Sequence, residues 1–208
     1  MIPWTDLLAL ADAAYTDPPD IAGDDCYVLR REVGDSLVWS FRGSQSVIDW
    51  ISDFLVGPWP SADHDEIGPV HAGLGANVAG VIDQIVQESA GRNVGLTGHS
   101  KGAGNAILAA GYLIARGVNV TQLAAFEAPH VAFLGNTILP ALIARIPHVM
   151  ATKNGHGVLF DPVCVVPPGD FFTPCPVTTL ACPTLFLNVV DYHLLPNVRL
   201  ALGAGHAA

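Results

Sequence analysis

Apolar residues recur along the first fifteen positions with helical spacing. Leu7, Leu8, Leu10 and Ala11 share one side, and Asp6 and Asp12 lie on the other. The pattern predicts a helix over 4–15, ended by Asp17-Pro18-Pro19-Asp20. Residues 27–33 and 37–41 read as two strands around Gly34-Asp35, a dipeptide suited to a hairpin turn. Val47, Ile48, Trp50, Ile51, Phe54 and Leu55 stand at near-helical intervals and predict a short, strongly apolar helix over 46–55. A proline-bearing loop follows over 57–68. A long helix is predicted over 71–88, with Leu74, Val78, Val81, Ile82 and Ile85 on one face.

Strands and helices then alternate: strand 94–97, helix 101–116 stopped by Gly117, strand 120–126, helix 133–145 and strand 148–152. From about 155 to 183 the chain reads as an irregular, proline-rich loop, and 184–190 as a last strand. This alternation implies the α/β class, with a mostly parallel central sheet covered by helices on both faces. No repeat or composition break marks a linker. Residues 1–208 are expected to form a single domain.

Composition narrows the functions. Half the residues are hydrophobic and 13% charged, which fits a core-rich globular chain. No apolar run reaches the roughly 18 residues of a membrane-spanning helix. The start, Met1 to Asp6, lacks basic residues and makes a poor signal peptide, so the chain is expected to be cytoplasmic, exported by another route, or a mature form. A net charge of −10 argues against nucleic-acid binding and reads as solubility. Of the four cysteines, Cys175 and Cys182 flank a Pro/Thr-rich stretch and are either bridged or free. No spacing matches a zinc site, and neither metal nor cofactor is expected.

Chemistry enters at Gly98-His99-Ser100-Lys101-Gly102, a G-x-S-x-G pentapeptide between a strand-like and a helix-like run. In that context the motif means a nucleophile elbow, a sharp turn that exposes the serine hydroxyl. A hydroxyl needs a base to take its proton and a third group to orient that base. Downstream acids are Asp161, Asp170 and Asp191; histidines are His130, His148, His156, His193 and His206. His193 follows the predicted last strand and Asp161 follows another, places where such sheets put their chemistry. His206 lies in a Gly/Ala tail and is a poor candidate.

The chain resembles the class 3 lipase family, the fungal-lipase-like α/β-hydrolases. Phe41-Arg42-Gly43-Ser44 with Asp49-Trp50-Ile51-Ser52-Asp53 resembles its F-R-G-[ST]…W-x-x-D block, and Val70-His71-Ala72-Gly73-Leu74 its V-H-x-G-F block. The elbow, Phe126-Glu127-Ala128-Pro129, Asp161-Pro162-Val163 and His193 follow in the family's order. The resemblance implies an α/β-hydrolase fold and a serine carboxylic-ester hydrolase, an esterase or lipase acting through an acyl-enzyme. It implies Ser100 as nucleophile, His193 as base then acid, and Asp161 as its orienter. The backbone N–H groups of Ser44 and Lys101 would form the oxyanion hole. The helix over 46–55 would be lid-like, with Ile48, Trp50, Ile51 and Phe54 meeting substrate or a lipid interface transiently.

The chain also departs from the family. Lys101 stands where Leu is usual, and G-H-S-K-G is associated with bacterial-type relatives. Glu127 replaces a Gly close to the elbow, and a Lys101–Glu127 ion pair is expected beneath it. The approach to Asp161 is longer than usual, which makes His156 a rival base. The chain is shorter than fungal lipases, so a carboxylesterase on small-molecule or short-chain esters is expected over an interfacial triacylglycerol lipase. An acyltransferase or thioesterase with the same triad, or a binding protein on the hydrolase fold, are the alternatives. The natural substrate and oligomeric state are not legible.

Overall fold

The computed structural model describes residues 1–45, 61–156, 159–186 and 188–205. The expected lid-like helix, with Ile48, Trp50, Ile51 and Phe54, lies outside the described residues, as does His206.

The main sheet has eight strands among the described residues. β1 (Ile21–Ala22), β2 (Tyr27–Val33) and β3 (Ser36–Phe41) form its antiparallel flank. Gly34, at φ 61°, makes the β2–β3 turn. Beside β3 run β6 (Asn93–His99), β7 (Asn119–Phe126) and β9 (His148–His156), all parallel. A smaller antiparallel sheet orders β11 (Phe171–Phe172), β8 (Ala132–Phe133), β5 (Gly68–His71) and β4 (Ser61–His64).

Helices cover both faces. On one lie α2 (Ala72–Ala79), α3 (Ile82–Ser89), α4 (Lys101–Ala115) and α5 (Ile138–Ile143), around a core that includes Trp39, Phe41, Leu96, Ile107 and Leu123. On the other lie α1 (Trp4–Ala13) and α6 (Leu195–Gly205), around Leu7, Leu8, Val38, Phe126 and Tyr192. Two strand hydroxyls fix α1 to the sheet: Thr97 Oγ1 donates to the Leu7 carbonyl at 3.0 Å and Ser40 Oγ to that of Leu10 at 2.9 Å. α4 is buried from Lys101 to Ile114, which explains its run of small and apolar residues. No helix among the described residues is long and apolar enough to cross a membrane.

Four predicted elements differ. The helix over 71–88 is two helices, α2 and α3, because Gly80 ends the first and Val81 leaves helical geometry at φ −124°. The helix over 133–145 shrinks to α5. Phe133 belongs to β8, and Asn136 Oδ1 accepts from the N–H groups of Ile138 and Leu139, both at 3.0 Å. The expected loop over 155–183 holds β10 (Leu159–Phe160), β11 and β12 (Val177–Ala181), and β12 pairs in parallel with β9. Its Thr-rich sequence suits an edge strand with only Leu180 buried. The strand predicted over 184–190 gives way to a 3₁₀ turn, Val189–His193, capped by Asn188 Oδ1 on the Val190 N–H at 3.2 Å. Cys26, Cys164, Cys175 and Cys182 are free thiols.

Candidate active site

β6 ends at His99 and α4 begins at Lys101, so Ser100 alone makes the turn, at φ 59° and ψ −133°. A side chain in that region is strained by about 1–3 kcal/mol. Two glycines let the turn close. A Cβ on Gly98 would lie 2.8 Å from the Ala103 nitrogen, and one on Gly102 would run into the Phe41 carbonyl. The Ser100 N–H donates to the Phe126 carbonyl of β7 at 3.0 Å. Ser100 is fully buried, and its Oγ has no hydrogen-bond partner among the described residues.

The base and acid come from the far side of β9. Asp161 precedes the 3₁₀ turn Pro162–Val165 and caps it, Oδ1 accepting from the Val163 N–H at 2.9 Å. Its Oδ2 lies 2.5 Å from Nδ1 of His193. Both side chains are fully buried. Asn154 ties the two segments together. Its carbonyl accepts from the Asp161 N–H at 2.9 Å, and its Nδ2 donates to the Tyr192 carbonyl at 2.9 Å. Burial holds His193 down at about 4, with the neighbouring Glu127 carboxyl acting in the opposite direction. His193 Nε2, like Ser100 Oγ, has no partner among the described residues.

A further chain of hydrogen bonds reaches His193 through its backbone. His99 stacks on it, ring centroids 4.6 Å apart, and His99 Nε2–H donates to the His193 carbonyl at 2.7 Å. Tyr15 Oη donates to His99 Nδ1 at 2.9 Å. Burial, then His193, hold His99 well below its usual range, so it is neutral. Burial and Asp12 raise Tyr15, which stays a protonated donor. Gly43 packs against this pair, and a Cβ there would collide with Tyr15 Oη and lie 2.6 Å from the His99 carbonyl. The β3–β6 register sets Phe41 opposite Gly98, which brings half-buried Ser44 to the elbow's side of the sheet.

The expected Lys101–Glu127 ion pair does not form. Lys101 is nearly buried and its Nζ turns to Asp25, 2.8 Å from Oδ2 and 3.1 Å from the carbonyl oxygen. Glu127 instead faces Thr152, Asn154, Asp161 and Cys164. Lys101 had a nearer acid in the β1–β2 connection, a partner that only the tertiary fold supplies. The rival base His156 lies on the β9–β12 edge, where its Nδ1 meets the Cys182 carbonyl at 2.9 Å. His130 Nδ1 contacts the Pro167 carbonyl at 3.1 Å, and His148 is exposed at the start of β9. Of the acids, Asp170 is exposed and Asp191 sits on the turn that carries His193.

Sequence reasoning passed over Tyr15, His99 and Asn154. The strand predicted over 148–152 runs on to His156 and buries Asn154, whose amide then needs partners; the sequence carried no local signal for any of the three.

The model of the family described as lipase (class 3) matches residues 38–168. The chain belongs to the class 3 lipase family. It is a lipase-like serine hydrolase with an α/β-hydrolase fold. Its fold is similar to that of a variant of MDLA from Penicillium cyclopium, with a TM-score of 0.66 and 18% identity over 96% of this chain and 94% of that one. Mono- and diacylglycerol lipase from Aspergillus oryzae superposes with a TM-score of 0.65 and 20% identity over 86% and 79%. Rhizomucor miehei triacylglyceride lipase gives 0.63 and 18% over 81% and 75%. No curated protein matches in sequence.

Proposed function

We propose that this lipase-family chain hydrolyses carboxylic esters through Ser100, His193 and Asp161. The observation that carries the proposal is the Asp161–His193 contact at 2.5 Å, with the opposite imidazole nitrogen and the elbow hydroxyl both unpartnered among the described residues. His193 donates from Nδ1–H to Asp161, which leaves Nε2 unprotonated and able to accept a proton.

His193 Nε2 takes the Ser100 proton as Oγ bonds to the ester carbonyl carbon. The carbonyl π electrons move onto oxygen, and the backbone N–H groups of Lys101 and Ser44 hold that charge. Losing one such donor typically costs about 3–4 kcal/mol. Collapse expels the alcohol, which takes the proton from His193 and leaves an acyl group on Ser100. Water, deprotonated by the same imidazole, adds to the acyl carbon and releases the acid and free Ser100.

The substrates are small-molecule or lipid acyl esters, with short chains favoured. Ile48, Trp50, Ile51 and Phe54, outside the described residues, are assigned to the acyl chain or to a lipid interface. The whole of 1–208 acts as one domain in this reading, since one sheet carries a buried apolar cluster on each face. Ser100→Ala is expected to abolish hydrolysis of p-nitrophenyl butyrate while leaving the circular dichroism spectrum unchanged; retained turnover would overturn the mechanism. A chain-length series of such esters beside a triacylglycerol emulsion separates esterase from lipase. Adding alcohol or thiol acceptors detects acyl transfer.

A further inference from the structure

Glu127 is a carboxyl group buried where the proposed mechanism has no use for it. It ends β7 beside the elbow, at φ 55°, and with Ser100 it is one of two non-glycine residues at positive φ among the described residues. It is fully buried. Strained backbone persists where the surroundings over-determine it, and such positions cluster at functional sites.

The surroundings are polar and specific. Glu127 Oε1 accepts from Thr152 Oγ1 at 2.9 Å, and Oε2 accepts from the Asn154 N–H at 2.8 Å. The Cys164 thiol lies 3.5 Å from Glu127 Oε2 and 3.6 Å from Asp161 Oδ2. The Glu127 and Asp161 carboxyl groups come within 4.8 Å of each other, with the Cys164 thiol against both. Titratable groups facing Glu127 are therefore Asp161 and Cys164 from the connection after β9, and His193 from the 3₁₀ turn.

Two carboxylates buried this close together, with no cation and only a neutral imidazole beside them among the described residues, disfavour ionising both. Asp161 cannot be the donor without losing its role, because it already accepts from His193 and from the Val163 N–H. Burial and the Asp161 charge push Glu127 up to about 8, and burial pushes Asp161 up to about 7, so the pair keeps a proton near neutral pH; the Asp161–His193 contact is what leaves that proton to Glu127. Glu127, Asp161 and Cys164 are also close enough to converge on a metal ion. Their oxygens are already taken up by N–H, O–H and S–H donors, which fits a shared proton better than a cation.

We propose that Glu127 is a positioning residue: as a neutral acid it donates to Asp161 and keeps that carboxylate aimed at His193. The inference rests on the Ser100–His193–Asp161 reading above. On ionisation Glu127 loses the donor and repels Asp161, so ester hydrolysis declines as the proton leaves.

The test compares Glu127→Gln and Glu127→Ala with the unsubstituted chain across pH 5–10, using p-nitrophenyl butyrate. Gln keeps a donor and an acceptor but has no proton to lose. Ala is expected to lower kcat about ten- to a hundredfold, the range for losing a hydrogen bond to a charged group. Gln is expected to recover most of that loss and to remove the ionisation near pH 8 from the kcat profile. Superimposable profiles for the unsubstituted chain and Glu127→Gln would overturn the proposal.

A second measurement needs no turnover. A carboxyl raised in the folded state holds a proton that the unfolded chain releases near pH 4.3. Its contribution to stability is fully present below that pH and is lost as pH rises to about 8. The Tm of Glu127→Gln relative to the unsubstituted chain should therefore climb between pH 5 and 8. A constant difference would overturn the shared proton. If no variant and no unsubstituted chain hydrolyses any ester, the mechanism fails, and the Tm series still decides the proton on Glu127.

Discussion

The elbow and the acid–base pair are built on opposite principles. Ser100 is placed by backbone: a strand, one strained residue, a helix, and glycines that admit the Phe41 carbonyl and the Ala103 nitrogen. Asp161 and His193 are joined by side chains 32 residues apart in sequence, with Asn154 bonding to both segments. A backbone-built site tolerates no added atoms, whereas a network-built site tolerates shape changes but not the loss of a donor. The nucleophile is thus a packing problem and the base an electrostatic one.

That contrast can be broken at three points. The largest effect is expected from Asp161→Asn, which keeps the shape but removes the acceptor that sets the His193 tautomer. About a 10⁴-fold fall in kcat is expected by analogy with the serine-protease triad, with little change in Tm. Asp161→Asn with near-normal turnover would show that this carboxylate does not orient the base. Gly102→Ala should do the reverse. Its Cβ meets backbone, which cannot rotate away, so about 1–3 kcal/mol or more of stability is lost, read by urea unfolding. An unaltered midpoint would mean that the elbow is looser than its geometry. The smallest effect is Tyr15→Phe, which removes the donor to His99. About 1 kcal/mol of stability and a fewfold loss of kcat are expected. A fall as deep as that of Asp161→Asn would make Tyr15 part of the relay itself.

The same contrast explains what the sequence revealed. Helical spacing placed α1, and glycine at the turn placed the β2–β3 hairpin, because both are local patterns. The elbow was legible for the same reason. The helix over 71–88 was misread because its apolar face continues across Gly80, so periodicity masks a break that is purely a backbone matter. Positions after predicted strands single out Asp161 and His193 as candidates, and the family resemblance gives them their roles. Nothing near His193 foretold a 3₁₀ turn, and five downstream histidines competed for one role. Glu127 stands out in the sequence, yet Lys101, its expected partner there, pairs with Asp25 in the fold. Choosing between Lys101 and Asp161 required knowing which strand ends meet, and charge complementarity alone favours the cation.

Lys101 leaves one practical mark on the molecule. The chain has only two lysines. Lys153 is half-buried, its ammonium 4.5 Å from the centre of the Phe160 ring at the sheet edge, and Lys101 is clasped by Asp25 with its side chain 9% exposed. Amine-directed reagents will meet these two side chains on unequal terms. A probe attached at Lys153 rides on the β9–β10 edge, so the elbow keeps its native chemistry. Lys101 becomes reactive when the β1–β2 connection lifts from α4, which makes its labelling a clock for the opening of the nucleophile's own support.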